Sequence, residues 1–218
     1  MIISTLITPA PPSIDSTGPS VLEVKKGDTA HLECLASGEP PPSLTWTRLG
    51  KRLPDGRDNI TGQSLVFTQV SREHAGLYQC TAANGHGTEA TRVVELEVVY
   101  PPEIQVTEVF VSTYTGQDKV ELVCNVHAHP APLVVWTRDG EMISQGGEGR
   151  LRINTIGRRR HSLVISKVQQ SDLGLYTCSA ANSLGRTNKT IQLSGKNIST
   201  KILSSTNTEK KHKPNNLG

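Results

Sequence analysis

Apolar and polar residues alternate in short runs along most of the chain, with turn-forming residues between the runs. In "TAHLECLA" (29–36) Leu32 and Cys34 share one side, and in "SLTWTR" (43–48) Leu44 and Trp46 do. "SLVFTQV" (64–70) sets Leu65 and Phe67 together, "GLYQCTAA" (76–83) follows, and "TEATRVVELEVV" (88–99) makes a longer run after the turn signal "NGHG". A period of two is the mark of a strand with one buried face. The second half repeats the style in "DKVELVCNV" (118–126), "LVVWTR" (133–138), "RLRINTI" (150–156), "HSLVISKV" (161–168) and "NKTIQL" (188–193). The pattern predicts an all-β chain.

The two halves also repeat in detail. "EHAGLYQCTAAN" begins at Glu73 and "SDLGLYTCSAAN" begins at Ser171, 98 residues later, with seven of twelve positions identical. Trp46 lies twelve residues after Cys34, and Trp136 lies twelve after Cys124; these are the two tryptophans of the chain. Tyr78 precedes Cys80 by two, and Tyr176 precedes Cys178 by two. The rarest residues therefore hold equivalent places, which predicts a tandem repeat. The offset is 90 residues between the first cysteines and 98 between the second, so the second half carries eight extra residues between its tryptophan strand and the strand before Tyr176. Those residues give it room for a further strand at Arg150–Ile156.

A chain of 218 residues holds two domains of about 100 residues each. The net charge of +3 and the interspersed acids and bases do not make a nucleic-acid partner. No apolar run is long enough to span a bilayer. The four cysteines form no closely spaced pairs of the kind zinc needs. Spacings of 46 and 54 residues suit two long-range disulfides, which persist in oxidising compartments such as the cell exterior.

Cys…Trp…Tyr-x-Cys resembles the immunoglobulin sandwich, and the two halves resemble its I-set form. The resemblance implies disulfides between Cys34 and Cys80 and between Cys124 and Cys178, joining strands B and F across the two sheets. Trp46 and Trp136 on strand C would pack on them, and the hydroxyls of Tyr78 and Tyr176 would close the turn between strands E and F. "YPPEI" at the junction, "ELVCNVHAHPAPLVVWTRDG" and "DLGLYTCSAANSLGRTNKTIQLSGK" further resemble arthropod neural adhesion proteins of the klingon and lachesin type, over residues 18–196. Those proteins have three such domains and a lipid anchor, and this chain resembles the second and third. The resemblance implies recognition of other cell-surface immunoglobulin proteins, homophilic or heterophilic. By the same analogy the contact face is the outer side of the sheet with strands C, F and G, presenting Thr45, Thr47, Gln79 and Thr81, then Val135, Thr137, Thr177 and Ser179. Asp172 fits the family's D-x-G-x-Y-x-C, with Arg150 or Arg152 as its ion-pair partner. His74 replaces that aspartate in the first half, so no such pair is expected there.

Three sequons stand at Asn59, Asn188 and Asn197, each an acceptor for N-linked glycan in a secreted chain. "GRRRHS" (157–162), with Arg158, Arg159, Arg160 and His161, is a candidate patch for weak heparan sulfate binding; the plainer reading is a solvated turn, with Glu73 as one candidate partner. His127, His129 and His161 make a weak metal pattern, and no cofactor is expected. No triad or carboxylate pair stands out, so no enzyme is expected.

The expected domains are residues 18–99 and 103–195, joined by a short, stiff linker at 100–102 where two prolines favour an extended path. Residues 1–17 are expected as a disordered leader or preceding linker, and 196–218 as a disordered polar tail. "MIISTLITPAPPS" makes a poor signal peptide, so the sequence is expected to be a fragment. The function expected is that of a non-catalytic extracellular recognition module from a neural adhesion protein. The rivals are a soluble protein that binds a glycan or secreted factor, and a spacer for a missing domain.

Overall fold

The computed structural model describes residues 8–144 and 149–196, and the chain forms two compact units, divided in sequence after Pro101 except that Ala128–Pro130 group with the first. In chain order the first unit contains β1 (Ala10–Ile14), β2 (Val21–Lys25), β3 (Ala30–Glu33), β4 (Ala36–Glu39), β5 (Ser43–Arg48), β6 (Asn59–Thr61), β7 (Ser64–Phe67), β8 (Gly76–Ala83) and most of β9 (Ala90–Val106). One sheet has the order β2-β9-β8-β5-β6, with β2 parallel to β9 and the other pairs antiparallel. The facing layer is made by the pairs β1-β4 and β3-β7. Between the layers Leu32, Cys34, Trp46, Leu65, Tyr78 and Leu96 are almost fully buried.

The second unit begins with the end of β9, which pairs with β11, and continues through β10 (Phe110–Thr113), β11 (Lys119–His129), β12 (Leu133–Arg138), β13 (Glu141–Met142), β14 (Leu151–Ile156), β15 (Arg160–Ser166), β16 (Gly174–Asn182) and β17 (Gly185–Gly195). Its sheets are β10-β17-β16-β12-β13 and β14-β15-β11-β9. Leu122, Cys124, Trp136, Leu163, Ile165, Tyr176 and Ile191 fill the space between them.

The alternation located the central strands closely: β5 and β12 fall on the predicted residues, and β14 occupies the extra segment of the second half. In the first half the shorter segment yields β6, which pairs with β5 rather than β7. The differences lie at the ends. Residues 10–14, expected in a disordered leader, form β1 and hydrogen-bond to β4 through a bulge. Pro11 and Pro12 hide the strand from a pattern reading, yet proline is tolerated on an edge where no ladder N–H is needed. Residues 100–102, expected as a linker, lie within the unbroken β9. Residues 1–7 and the tail from 197 onward lie outside the described residues, as does the third sequon at Asn197.

Candidate interaction surfaces

The centre of each unit is a staple. Cys34 bonds to Cys80 and Cys124 to Cys178. Trp46 stands directly opposite Cys80 in the β5–β8 ladder, and Trp136 opposite Cys178 in β12–β16. Both indoles are buried, and among the described residues neither indole N–H meets a hydrogen-bond partner. Their contribution is apolar packing beside the disulfide.

Around each staple the same corner is built. The Tyr78 hydroxyl donates to the carbonyl of His74 at 2.7 Å, and the Tyr176 hydroxyl donates to that of Asp172 at 2.7 Å. Burial pushes both phenols above their ordinary pKa. Arg48 donates to the carbonyls of Glu73 and Ala75, each at 2.7 Å, while its guanidinium lies over the Tyr78 ring. Arg138 does the same with the carbonyls of Ser171 and Leu173 and the Tyr176 ring. This arginine was missed in the sequence, although Trp-Thr-Arg occurs in both halves. Gly76 completes the first corner: its φ is +152°, and a Cβ there would stand 3.2 Å from Nε of Arg48.

The corners differ at one position. Asp172 takes both prongs of Arg150 and the amide of Gln169, whereas Arg152 sits exposed. His74 instead turns Nδ1 toward Ser71, 3.1 Å from its amide and 2.9 Å from its hydroxyl.

Of the basic group, Arg158 and Arg159 occupy the exposed turn between β14 and β15. Arg160 lies in β15, 3.5 Å from Glu121. His161 stands opposite Cys124, on the core side of β15, with Nε2 buried and without a hydrogen-bond partner among the described residues, and burial lowers its pKa. The four residues therefore do not form one exposed cluster. No group of metal-ligating side chains occurs among the described residues. A cleft of about 260 Å³ in the first unit is lined by Asp15, Leu22, His31, Glu33, Arg92 and Val94. The arginine there is occupied by the carbonyls of Asp15, Gly18 and Pro19.

The outward sides of the β5-bearing and β12-bearing sheets each hold two uncharged rows, bordered by Glu95, Glu97 and Glu23 on the first and by Arg186 on the second. In the first, Thr61, Thr45, Thr81 and Thr91 align across four strands, next to the row Asn59, Thr47, Gln79 and Val93. In the second, Asn188, Ser179 and Val135 align beside Thr190, Thr177, Thr137 and Met142. The other sheet of the second unit carries Glu121 and Arg152 in one outward row and Arg160 in another.

Two stapled sandwiches, each with a buried Trp and a Tyr-closed corner, define a pair of immunoglobulin-type domains. A family model described as "Immunoglobulin domain" matches residues 11–84, and one described as "Immunoglobulin I-set domain" matches residues 103–194. The chain belongs to the immunoglobulin superfamily. It is 35% identical over 193 residues to the limbic system-associated membrane protein of Mus musculus, covering 88% of this chain and 54% of that protein. It is 30% identical over 185 residues to lachesin of Schistocerca americana, covering 84% of this chain and 53% of lachesin. The chain thus spans about half the length of these two relatives. Among solved structures it is similar to one described as "Crystal structure of Dpr2 Ig1-Ig2 in complex with DIP-Theta Ig1-Ig3", with TM-score 0.73 and 31% identity over 86% of this chain and 65% of that one.

Proposed function

We propose that the chain is a non-catalytic extracellular recognition module that binds other cell-surface immunoglobulin proteins, in the setting of neural cell–cell contact. The observation that carries this reading is the similarity of both domains together to a chain solved in complex with another tandem-immunoglobulin protein. Two core disulfides fit an oxidising exterior. The heparan sulfate reading loses support from the division of its basic group, with Arg160 near Glu121 and His161 turned to the core.

The test is aggregation of beads that display the full chain, secreted behind an added signal peptide. Clustering of like beads is the expected outcome for homophilic binding, and mixed clustering with a tandem-immunoglobulin partner for heterophilic binding. Beads that remain dispersed against both, with the disulfides intact, count against recognition by this chain.

A further inference from the structure

The two described sequons occupy unrelated places in the repeat. Asn59 lies on β6 in the first domain, and Asn188 lies on β17 in the second. Strand alternation nevertheless brings them to the corresponding surface within each domain. Asn59 aligns with Thr47 and Gln79, one residue away in register from Trp46 and Cys80, which point inward. Asn188 aligns with Ser179 and Val135, likewise one residue from Cys178 and Trp136. Both asparagines are therefore on the solvent side of the sheet that carries the tryptophan, and both are exposed. In each sequon the threonine two residues on shares that side: Thr61 beside Thr45, and Thr190 with its hydroxyl 2.9 Å from that of Thr177.

The chemistry of these rows adds a second observation. The fifteen positions of the rows named above are hydroxyls, amides, valines and a methionine, and none carries a charge. A solvent-facing sheet ordinarily takes its solubility and its protection from pairing with other sheets from charged side chains. Here the charges on these faces border the rows, at Glu95, Glu97 and Glu23 in the first domain and Arg186 in the second, and leave the rows themselves uncharged. Meanwhile Met142 is 69% exposed and Val93 39% exposed within the uncharged rows. A hydrated sugar chain rooted at each asparagine covers the rows that carry no charge of their own.

We propose that Asn59 and Asn188 carry N-linked glycans, that these lie over the uncharged rows on the outer face of the tryptophan-bearing sheet in each domain, and that partner contacts use other surfaces. This replaces the contact face expected by family analogy. It rests on the extracellular reading, because the donor exists only along the secretory route. In the step, Nδ2 of the asparagine bonds to the anomeric carbon of a lipid-diphosphate-linked oligosaccharide. That carbon's bond to the diphosphate breaks, the lipid diphosphate leaves as an anion, and the amide gives up one proton. Ser179 and Val135 lie roughly 5 and 10 Å from Asn188 across the strands, within the span of a glycan core.

The first measurement is peptide mass mapping of the chain isolated from the tissue that makes it, before and after an amidase that releases N-glycans. Release converts each occupied asparagine to aspartate, so both sites are expected to show the conversion. Intact disulfides with unmodified Asn59 and Asn188 overturn the proposal and leave the extracellular reading standing. Free thiols at all four cysteines remove the extracellular reading itself. In secreted protein, N59Q and N188Q should each remove one step in gel mobility, and T190A should act as N188Q does. Coverage is read by a cysteine placed at Ser179 and labelled with a bulky maleimide. Labelling should become several-fold faster when N188Q is added, while a cysteine at Lys119 on the other sheet should not change. Equal rates at Ser179 overturn the coverage.

Discussion

Arg150 holds Asp172 with both prongs of its guanidinium, Nη1 at 2.9 Å from Oδ2 and Nη2 at 3.2 Å from Oδ1. The pair ties the start of β14 to the turn that precedes β16. The Asp172 side chain is 4% exposed and that of Arg150 25% exposed, so the aspartate is the member more dependent on its partner. Burial pushes the pKa of Asp172 up, but the bonds from Arg150 and the Gln169 amide, with the charges of Arg150 and Arg138, reverse this and leave it below the ordinary value. The folded state thus binds the proton less readily than the unfolded state. The stabilisation is complete above the unfolded value and is lost as pH falls through the folded one. Asp172→Ala should cost about 2–4 kcal/mol at neutral pH. Arg150→Ala should cost at least as much, because it strands a buried carboxylate, whereas Arg150 without Asp172 keeps the carbonyls of Ser166 and Lys167. Urea midpoints give the magnitudes. Hydrogen exchange in β15 and β16 shows whether the loss is confined to the second domain, and D172A should also flatten the acid limb of that domain's stability profile.

The arginine two residues after each tryptophan should matter as much as the better-known tyrosine. Arg48 satisfies two carbonyls of the corner and covers the Tyr78 ring, and Arg138 does so for its own corner. Lysine supplies charge without the planar fork. Arg48→Lys is expected to destabilise the first domain by about 1–2 kcal/mol and Arg48→Ala by about 2–3 kcal/mol. Thermal unfolding of the two variants measures this; a lysine variant as stable as the parent would show that charge alone suffices.

The parts of the fold that the sequence displayed are those governed by alternation and by rare residues. Trp46, Trp136 and the cysteines located the two sandwiches, because a buried disulfide and indole leave few substitutes. The edges were not displayed. β1 is written in prolines, β13 is two residues long, and β2 and β10 are short runs that join their sheets by parallel pairing with distant strands. The surfaces were legible only in part. A sequon can be read without a structure, but the side of the sheet it occupies depends on register. Arg160 and His161 looked like neighbours in a loop, and strand alternation sends them to opposite faces.

Each disulfide closes a long loop across its sandwich, with separations of 46 and 54 residues, and all four sulfurs are buried. Constraint of the unfolded chain by loops of this size is worth about 4 kcal/mol, which is large beside the total stability of a domain of about 100 residues. Replacing Cys34 and Cys80 by alanine should shift the unfolding midpoint of the first domain sharply and leave that of the second unchanged. The reverse is expected for Cys124 and Cys178. Hydrogen exchange resolved by peptide distinguishes the two.

His74 occupies the place of Asp172 and does half of its work. Its Nδ1 meets the Ser71 amide at 3.1 Å, as Asp172 meets the Gln169 amide at 2.8 Å, and its ring packs edge-on against Phe67. Among the described residues no arginine holds it as Arg150 holds Asp172, because the segment after β5 returns along β5 as β6 and forms no described strand beside β7. Restoring the family residue should therefore not restore the family's ion pair. His74→Asp keeps an acceptor for the Ser71 amide but loses the aromatic contact and gains a carboxylate with no fork to hold it, so a loss of about 0.5–1.5 kcal/mol is expected. His74→Ala loses acceptor and ring together and should cost about 1–3 kcal/mol. A double variant that also supplies an arginine at Ser64 or Val66 of β7 should not recover the deficit, since those exposed positions lack the strand that carries Arg150 past Asp172. Recovery in that double variant, measured by urea unfolding, would show that the missing strand is not what separates the two corners.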